Sequence, residues 1–251
     1  MATQPAESET RLSVVVPGYN ESASIAAALE RYRRALDALG VSYEVIVIDD
    51  ASTDDTGAIA DAFAAANPRF RVIRNPLNVN VGQSILIGYR IAQGEIVTHN
   101  AVDLPFDPAD LARVLPMFDD PELAMVVVSR TDRSAHSLWR KLTSLGHHWM
   151  VRALFWSALP DMNFVQVCRR SAVADLGVRA RSPAFVTPEM IIRARDAGLK
   201  IGHFAATFHA RKAGEAKFGK PRDILWTLAD MLSFRLERRT DPRRRRGPVQ
   251  S

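Results

Sequence analysis

Short apolar runs and amphipathic segments alternate along the chain, and their order predicts the fold. Leu12 to Val16 and Val45 to Ile48 are β-branched runs without polar alternation, as expected of strands buried on both faces of a parallel sheet. The first run ends in P-G-Y-N-E (Pro17 to Glu21), and Ile25, Leu29, Tyr32 and Leu36 then recur along one helix face. The second ends at Asp49 and Asp50, with Ser52, Thr53, Asp54, Asp55 and Thr56 before a helix face of Ile59, Ala60 and Phe63. Short polar side chains at that point suit turns and helix caps. Phe70 to Ile73, Glu95 to Thr98 and Ala124 to Val128 read as three further strands, with helices over Gln83 to Ala92 and Pro108 to Met117. The pattern is that of an α/β fold, a doubly wound, mostly parallel sheet flanked by helices. Ligands of such sheets bind outside the carboxyl ends of the strands, which is where Asp49 and Asp50 fall.

Past residue 130 the texture changes. Ser137 to Leu159 carries long apolar residues at helical spacing, interspersed with Arg140, Lys141, His147, His148 and Arg152. Phe164 to Cys168 reads as a strand, Pro188 to Ala197 as a helix and Lys200 to Phe208 as a strand. A basic, glycine-containing loop follows (Arg211 to Lys220), and Pro221 opens a last helix to about Arg238, proline being suited to a first helical position.

Composition narrows the class. At 251 residues, 47% hydrophobic and 24% charged, the chain is an ordinary globular protein of one large domain or a domain with an appendage. Its only cysteine, Cys168, has no intrachain partner and gives no sign of an oxidising compartment. No apolar run approaches the ~20 residues that span a bilayer. The first ten residues lack the basic and apolar regions of a signal peptide, so cytoplasm is the default address. The net charge of +5 is matched by the stretch Arg235 to Arg246 alone, where seven arginines face Glu237 and Asp241. All four tryptophans, Trp139, Trp149, Trp156 and Trp226, lie in the two late amphipathic segments. Aromatic, amphipathic and basic together describe a helix that lies on an anionic membrane surface. A nucleic-acid binder is disfavoured, because the positive charge sits in a tail and not on an aromatic-bearing sheet face.

The motifs V-V-V-P-G-Y-N-E, V-I-V-I-D-D-A-S-T-D-D-T and N-V-G-Q-S-I-L-I-G-Y-R-I-A-Q-G-E together resemble the inverting family 2 glycosyltransferases with the GT-A fold. S-R (129–130), R-x-x-x-S (Arg140 and Ser144), R-R (169–170) and R-K-A-G-E-A-K (211–217) resemble the polyprenyl-phosphate members, of the dolichyl-phosphate mannose synthase kind. The resemblance implies a nucleotide-sugar donor, GDP-mannose or a UDP-hexose, and a polyprenyl phosphate acceptor. It implies that Pro17, Tyr19 and Glu21 line the base and ribose, that Asp50 accepts a hydrogen bond from the base, and that Gly82 and Gln83 approach the nucleotide. A helix N-terminus at that point would also favour anionic groups. Arg211 and Lys217 would close over the diphosphate. Arg130, Arg140 and Ser144 would hold the acceptor phosphate, arginine's planar fork matching paired phosphate oxygens.

The family holds Mg²⁺ or Mn²⁺ with a D-x-D motif after the fourth strand, hard oxygen ligands suiting a hard cation. Here the triplet is Ala101-Val102-Asp103, and Pro105 stands where a glutamine ligand is often found. Asp103 alone remains as the catalytic and metal-binding candidate, with His99, Asn100 and Asp107 as neighbours able to offer donor atoms. The histidine pair His147 and His148 reads as helix surface, since adjacent helical residues point about 100° apart. The organisation expected is a leader over 1–10, a catalytic domain over 11–220, a C-terminal amphipathic helix over 221–239 and a basic disordered tail over 240–251. The protein would act from the cytoplasmic side as a peripheral membrane protein or beside a membrane-protein partner. Two alternatives stay open: a family 2 enzyme with a non-lipid acceptor, and a catalytically silent binder of nucleotide-sugar or lipid phosphate.

Overall fold

The computed structural model describes residues 10–130, 164–207 and 221–240. Its elements are β1 (Leu12–Gly18), α1 (Ile25–Asp37), β2 (Tyr43–Asp49), α2 (Thr56–Ala66), β3 (Phe70–Arg74), α3 (Val81–Ile91), β4 (Ile96–His99), α4 (Leu111–Val114), β5 (Leu123–Arg130), β6 (Val165–Arg169), α5 (Arg170–Ala174), α6 (Val186–Asp196), β7 (Lys200–Ala206) and α7 (Pro221–Thr240). Seven strands form one sheet in the order β3-β2-β1-β4-β6-β5-β7. All pairs are parallel except those of β6, which runs antiparallel between β4 and β5. An apolar run carries no sign of its direction, and the expectation for Phe164 to Cys168 stopped at a strand. The helix expected over Pro108 to Met117 is instead a 3₁₀ turn at Pro108–Asp110, the single turn α4 and a second 3₁₀ segment at Leu115–Asp119. Pro116, lacking an N–H, interrupts the α-helical ladder there.

The runs that predicted strands are buried on both faces because helices cover both. Val14 and Val16 of β1, with Val45 and Val47 of β2, join α1, α2 and the turns around α4 in one core. Val15, Ile46 and Ile48 join α3, α6 and α7 in the other. Each such side chain withdrawn from water contributes about 1.5–3 kcal/mol. α3 sits so close on β1 that a Cβ at Gly88 would lie 2.3 Å from Val15 Cγ1, so only glycine fits. The two edges differ from the centre: β3 and β7 are largely half-buried or exposed.

Candidate functional site

The parallel register brings the carboxyl ends of the central strands to one rim. Gly18 is level with Asp49, and Val15 with His99. Backbone hydrogen bonds continue the ladders into the loops: Asp50 N donates to Gly18 O (2.9 Å), Asn75 N to Asp49 O (2.9 Å) and Asn100 N to Val15 O (3.0 Å). The loops 17–24, 49–56, 75–83 and 99–108 therefore share one edge of the sheet.

On the β1–β3 side these loops are stitched to each other. Asn20, at φ 50°, donates its N–H to Ser52 Oγ (3.0 Å) and accepts from Thr53 N at Oδ1 (2.8 Å). Glu21 N donates to Thr56 Oγ1 (2.7 Å), while its carboxylate accepts from Ser24 Oγ (3.0 Å). Pro17 is buried, and Tyr19 and Glu21 are half-buried. Asp49 caps its own loop by accepting from Ser52 N (3.0 Å). Asp50, only 3% exposed, accepts from Asn75 Nδ2 (2.8 Å) and Val79 N (2.9 Å) at Oδ1 and from Asn80 N (2.9 Å) at Oδ2. An ionised carboxylate accepts hydrogen bonds only, and here it anchors the loop that leads to α3.

The entry to α3 is capped from within the chain. Asn80, at φ 75°, caps the helix by accepting from Gly82 N (3.0 Å) and Gln83 N (3.3 Å), so those N–H groups are spent within the chain and not held open for an anion. Gln83 Nε2 donates to Ala180 O (2.7 Å), and Asn80 Nδ2 to Arg181 O (2.9 Å). The loop they grip is held from its other side by two carboxylates. Ala180 N donates to Glu189 Oε2 (2.6 Å), and Arg181 N and Ser182 N both donate to Asp230 Oδ2 (2.8 and 2.6 Å). Glu189 also pairs with Arg193 (2.6 Å), which reaches Glu237 of α7 (3.0 Å).

Between these parts lies a cavity of about 350 Å³, lined by Pro17, Val81, Ile85, Ala101, Phe164 and Ala184, with His99, Asn100 and Thr187 as its polar members. His99 is buried between Tyr89 Oη (2.8 Å, at Nδ1) and Phe164 O (3.3 Å, at Nε2), and burial lowers its pKa from 6.5 to about 4. Asn100 donates to Phe106 O (2.8 Å) and accepts from Ala101 N (3.1 Å). Tyr32 Oη donates to Ala101 O (2.9 Å); burial, reinforced by the nearby Asp103 charge, holds that phenol protonated. Arg130 is the last residue of β5, its guanidinium 5.2 Å from the centre of the Phe164 ring. Phe164 thus joins Arg130 to His99 and, through an edge contact at 6.5 Å, to Phe106.

The rim brings Pro17, Tyr19, Glu21, Asp50, Gln83, Asp103 and Arg130 to one edge of the sheet. Arg140, Ser144, Arg211 and Lys217 lie outside the described residues. Asn75 and Asn80 were not singled out by sequence, and Tyr32 and Phe164 only as helix-face and strand residues, although the N-x-N of residues 78–80 is a visible signal, asparagine being the residue that best tolerates positive φ after glycine.

A divalent cation fits these residues poorly. Ala101 has no donor side chain, the amide of Asn100 is engaged at both ends, and Asp107 is held by Arg31 (2.8 Å) while capping Ala109 N (3.1 Å). The compensation offered by His99, Asn100 or Asp107 is therefore not found: each is committed elsewhere. Among the described residues no group of three or more His, Cys, Asp or Glu is placed to hold a metal ion.

A mostly parallel sheet with helices on both faces and acidic loops at its carboxyl rim defines the GT-A class of fold. Glucosyl-3-phosphoglycerate synthase from Mycobacterium tuberculosis, solved with Mn²⁺, UDP-glucose and phosphoglyceric acid, superposes with a TM-score of 0.67 at 21% identity, covering 90% of this chain and 80% of that one. Mannosyl-3-phosphoglycerate synthase from Rubrobacter xylanophilus gives 0.65 at 14% identity, over 96% and 79%. At those identities the likeness is one of fold. Residues 13–177 match the model of glycosyl transferase family 2, and the chain belongs to that family. It is 26% identical over 224 residues to dodecaprenyl-phosphate galacturonate synthase of Rhizobium johnstonii, covering 88% of this chain and 65% of that protein. It is 28% identical over 226 residues to undecaprenyl-phosphate 4-deoxy-4-formamido-L-arabinose transferase of Edwardsiella ictaluri, covering 88% and 68%. The chain thus spans about two thirds of the length of these relatives.

Proposed function

We propose that this protein transfers a sugar from a nucleotide-sugar to a polyprenyl phosphate, with inversion at the anomeric carbon. The observation that carries the reading is the convergence of Pro17, Glu21, Asp50, Asp103 and Arg130 on one strand-end rim, in a family 2 chain whose similar proteins are named for polyprenyl-phosphate sugar transfer. GDP-mannose and UDP-hexoses are the donors the motifs suggest. In this reading the nucleotide lies against Pro17, Tyr19 and Glu21, and Asp50 serves the base by fixing the 75–80 loop as much as by direct contact. Gln83 does the same from α3, through the loop at residue 180.

A phosphate monoester is largely ionised near neutral pH, so the acceptor needs positioning and charge neutralisation more than a strong general base. Arg130, Arg140 and Ser144 are assigned to the acceptor phosphate, and Arg211 and Lys217 to the leaving diphosphate. Asp103 is the carboxylate nearest the reaction in this reading. Mg²⁺ or Mn²⁺ belongs to the family pattern, but Ala101 offers no ligand and Asn100 and Asp107 are engaged elsewhere.

Membrane contact fits α7. Thr227, Met231 and Phe234 face the core, while Leu225 (66% exposed), Leu232 and Leu236 (61% exposed) form a stripe on the outer face, followed by the arginine run. Among the described residues no helix is long and apolar enough to cross a membrane. We therefore place the protein as peripheral on the inner face of the membrane, or against a membrane-protein partner, with its cations next to anionic lipid.

The test is transfer of radiolabelled sugar into an organic-extractable product. Label should move only when polyprenyl phosphate is supplied. Label that moves only to a soluble or glycan acceptor would replace this reading with the non-lipid one. A second reading, a catalytically silent binder, is favoured by Ala101 and Pro105 at the aspartate and glutamine positions, and it predicts nucleotide binding with no label moving anywhere.

A further inference from the structure

The loop after β4 is wholly described, and most of its side chains have a visible occupation. Val102, Leu104 and Phe106 are buried in the core beneath the rim, so they fix which residues can face the nucleotide. Leu104 holds φ 50°, an unfavourable conformation for a bulky residue, and its N–H closes a turn on Ala101 O (3.0 Å). The same carbonyl receives Tyr32 Oη, so the backbone oxygen of residue 101 carries two hydrogen bonds already. His99 and Asn100 are turned inward by Tyr89, Phe164 O and Phe106 O. Asp107 is turned outward to Arg31. Pro105 has no side-chain donor. Asp103, half-buried, is the remaining carboxylate of the Ala101-Val102-Asp103 triplet.

Mg²⁺ and Mn²⁺ need several oxygen ligands, and one carboxylate plus waters is a weak anchor for either. What faces the cavity at position 101 is a methyl group, beside Phe164 and Pro105. The wall that should carry a second carboxylate is apolar.

We infer that nucleoside-diphosphate binding at this rim is metal-independent, the second carboxylate having been replaced by Ala101 with no substitute in the loop. The inference rests on the nucleotide-sugar reading above and concerns how that site meets the diphosphate charge. Ala101 is half-buried and borders open cavity, so a carboxylate restored there would have room beside Asp103.

The experiment measures affinity of the full chain for UDP and for GDP by calorimetry, with Mn²⁺ or with EDTA, in the wild type and in Ala101→Asp. The six-line electron paramagnetic resonance signal of Mn²⁺ is followed in the same mixtures. For the diphosphate that binds, wild-type affinity should agree within about threefold between Mn²⁺ and EDTA, whereas Ala101→Asp should bind about tenfold or more tightly with Mn²⁺ and quench the signal. Wild-type affinity that falls about tenfold in EDTA and returns with Mn²⁺ overturns the inference, and does so even if the variant does not fold. A metal-insensitive Ala101→Asp that folds would overturn the assignment of the loss to position 101. Failure of both diphosphates to bind under either condition, in protein that melts cooperatively, would overturn the donor reading itself.

Discussion

The two halves of the strand-end rim use their acidic residues in opposite ways. On the β1–β3 side the carboxylates stay at the rim and organise loops, Asp49 capping its own turn and Asp50 holding Asn75, Val79 and Asn80. On the β4–β7 side, among the described residues, Ala101, Pro105, Phe164 and Ala184 give the cavity an apolar wall. Behind it Glu189 of α6 and Asp230 of α7 grip backbone N–H groups of the 179–182 loop. The first half is thus built to present fixed polar loops to a ligand. The second is built to hold an apolar wall in place from behind. Aspartates of similar appearance in sequence therefore differ in function according to whether the chain itself already supplies their donors.

The largest effect should come from the bracing of the second half. Glu189 and Arg193 are almost fully buried, and Glu189→Ala leaves a buried guanidinium with Glu237 as its remaining carboxylate partner. Breaking such a pair from one side costs about 3–5 kcal/mol. Urea unfolding of the variant should show that loss, and a change below about 1 kcal/mol would mean the pair is not load-sharing with the loop.

His99 sharpens the contrast by pH. Its pKa is lowered from 6.5 to about 4 by burial, so between those values the unfolded chain takes up a proton that the folded chain refuses. Stability contributed by the neutral ring is present above pH 6.5 and lost as pH falls towards 4, by about 3 kcal/mol in all. Unfolding curves from pH 7 to pH 4 should show this decline, and His99→Asn should flatten it.

In the first half, Asp50→Ala strips acceptors from Val79 N and Asn80 N, at a cost of about 2 kcal/mol. Nucleotide affinity should weaken with it, because the loop is no longer held. An unchanged affinity in a destabilised variant would separate the loop from the ligand site. The smallest effect is favourable: Ala51 sits at φ 60° between the two stitched loops, and Ala51→Gly should stabilise by about 1 kcal/mol, read as a raised melting temperature.

The sheet was legible because unbroken β-branched runs leave few alternatives, and strand ends with polar turns mark where loops meet. The antiparallel β6 was not fully legible, since apolar content says nothing of direction. The helix read over Pro108 to Met117 shows the converse: the spacing was apolar enough, but Pro116 divided it. At the site, Asp50 and Gln83 stood out by motif, yet their partners, the 75–80 loop and Ala180, are set by tertiary packing that spacing does not encode. Glu189 and Arg193 fall within the helix read over Pro188 to Ala197, and only their burial, with Glu237 of α7 as a further partner, shows that they matter. Ala101 was visible at once, whereas the commitments of His99, Asn100 and Asp107 needed coordinates.

The central claim is that a nucleoside diphosphate sits on the β1–β3 half of the rim. Backbone amide exchange of the full chain, with and without the diphosphate that binds, measures this directly. The account predicts slowed exchange in residues 18–22, 50–54 and 79–84, with β7 and the outer turns of α7 unchanged. Protection confined to β7 or α7, with the three loops exchanging as before, would contradict it.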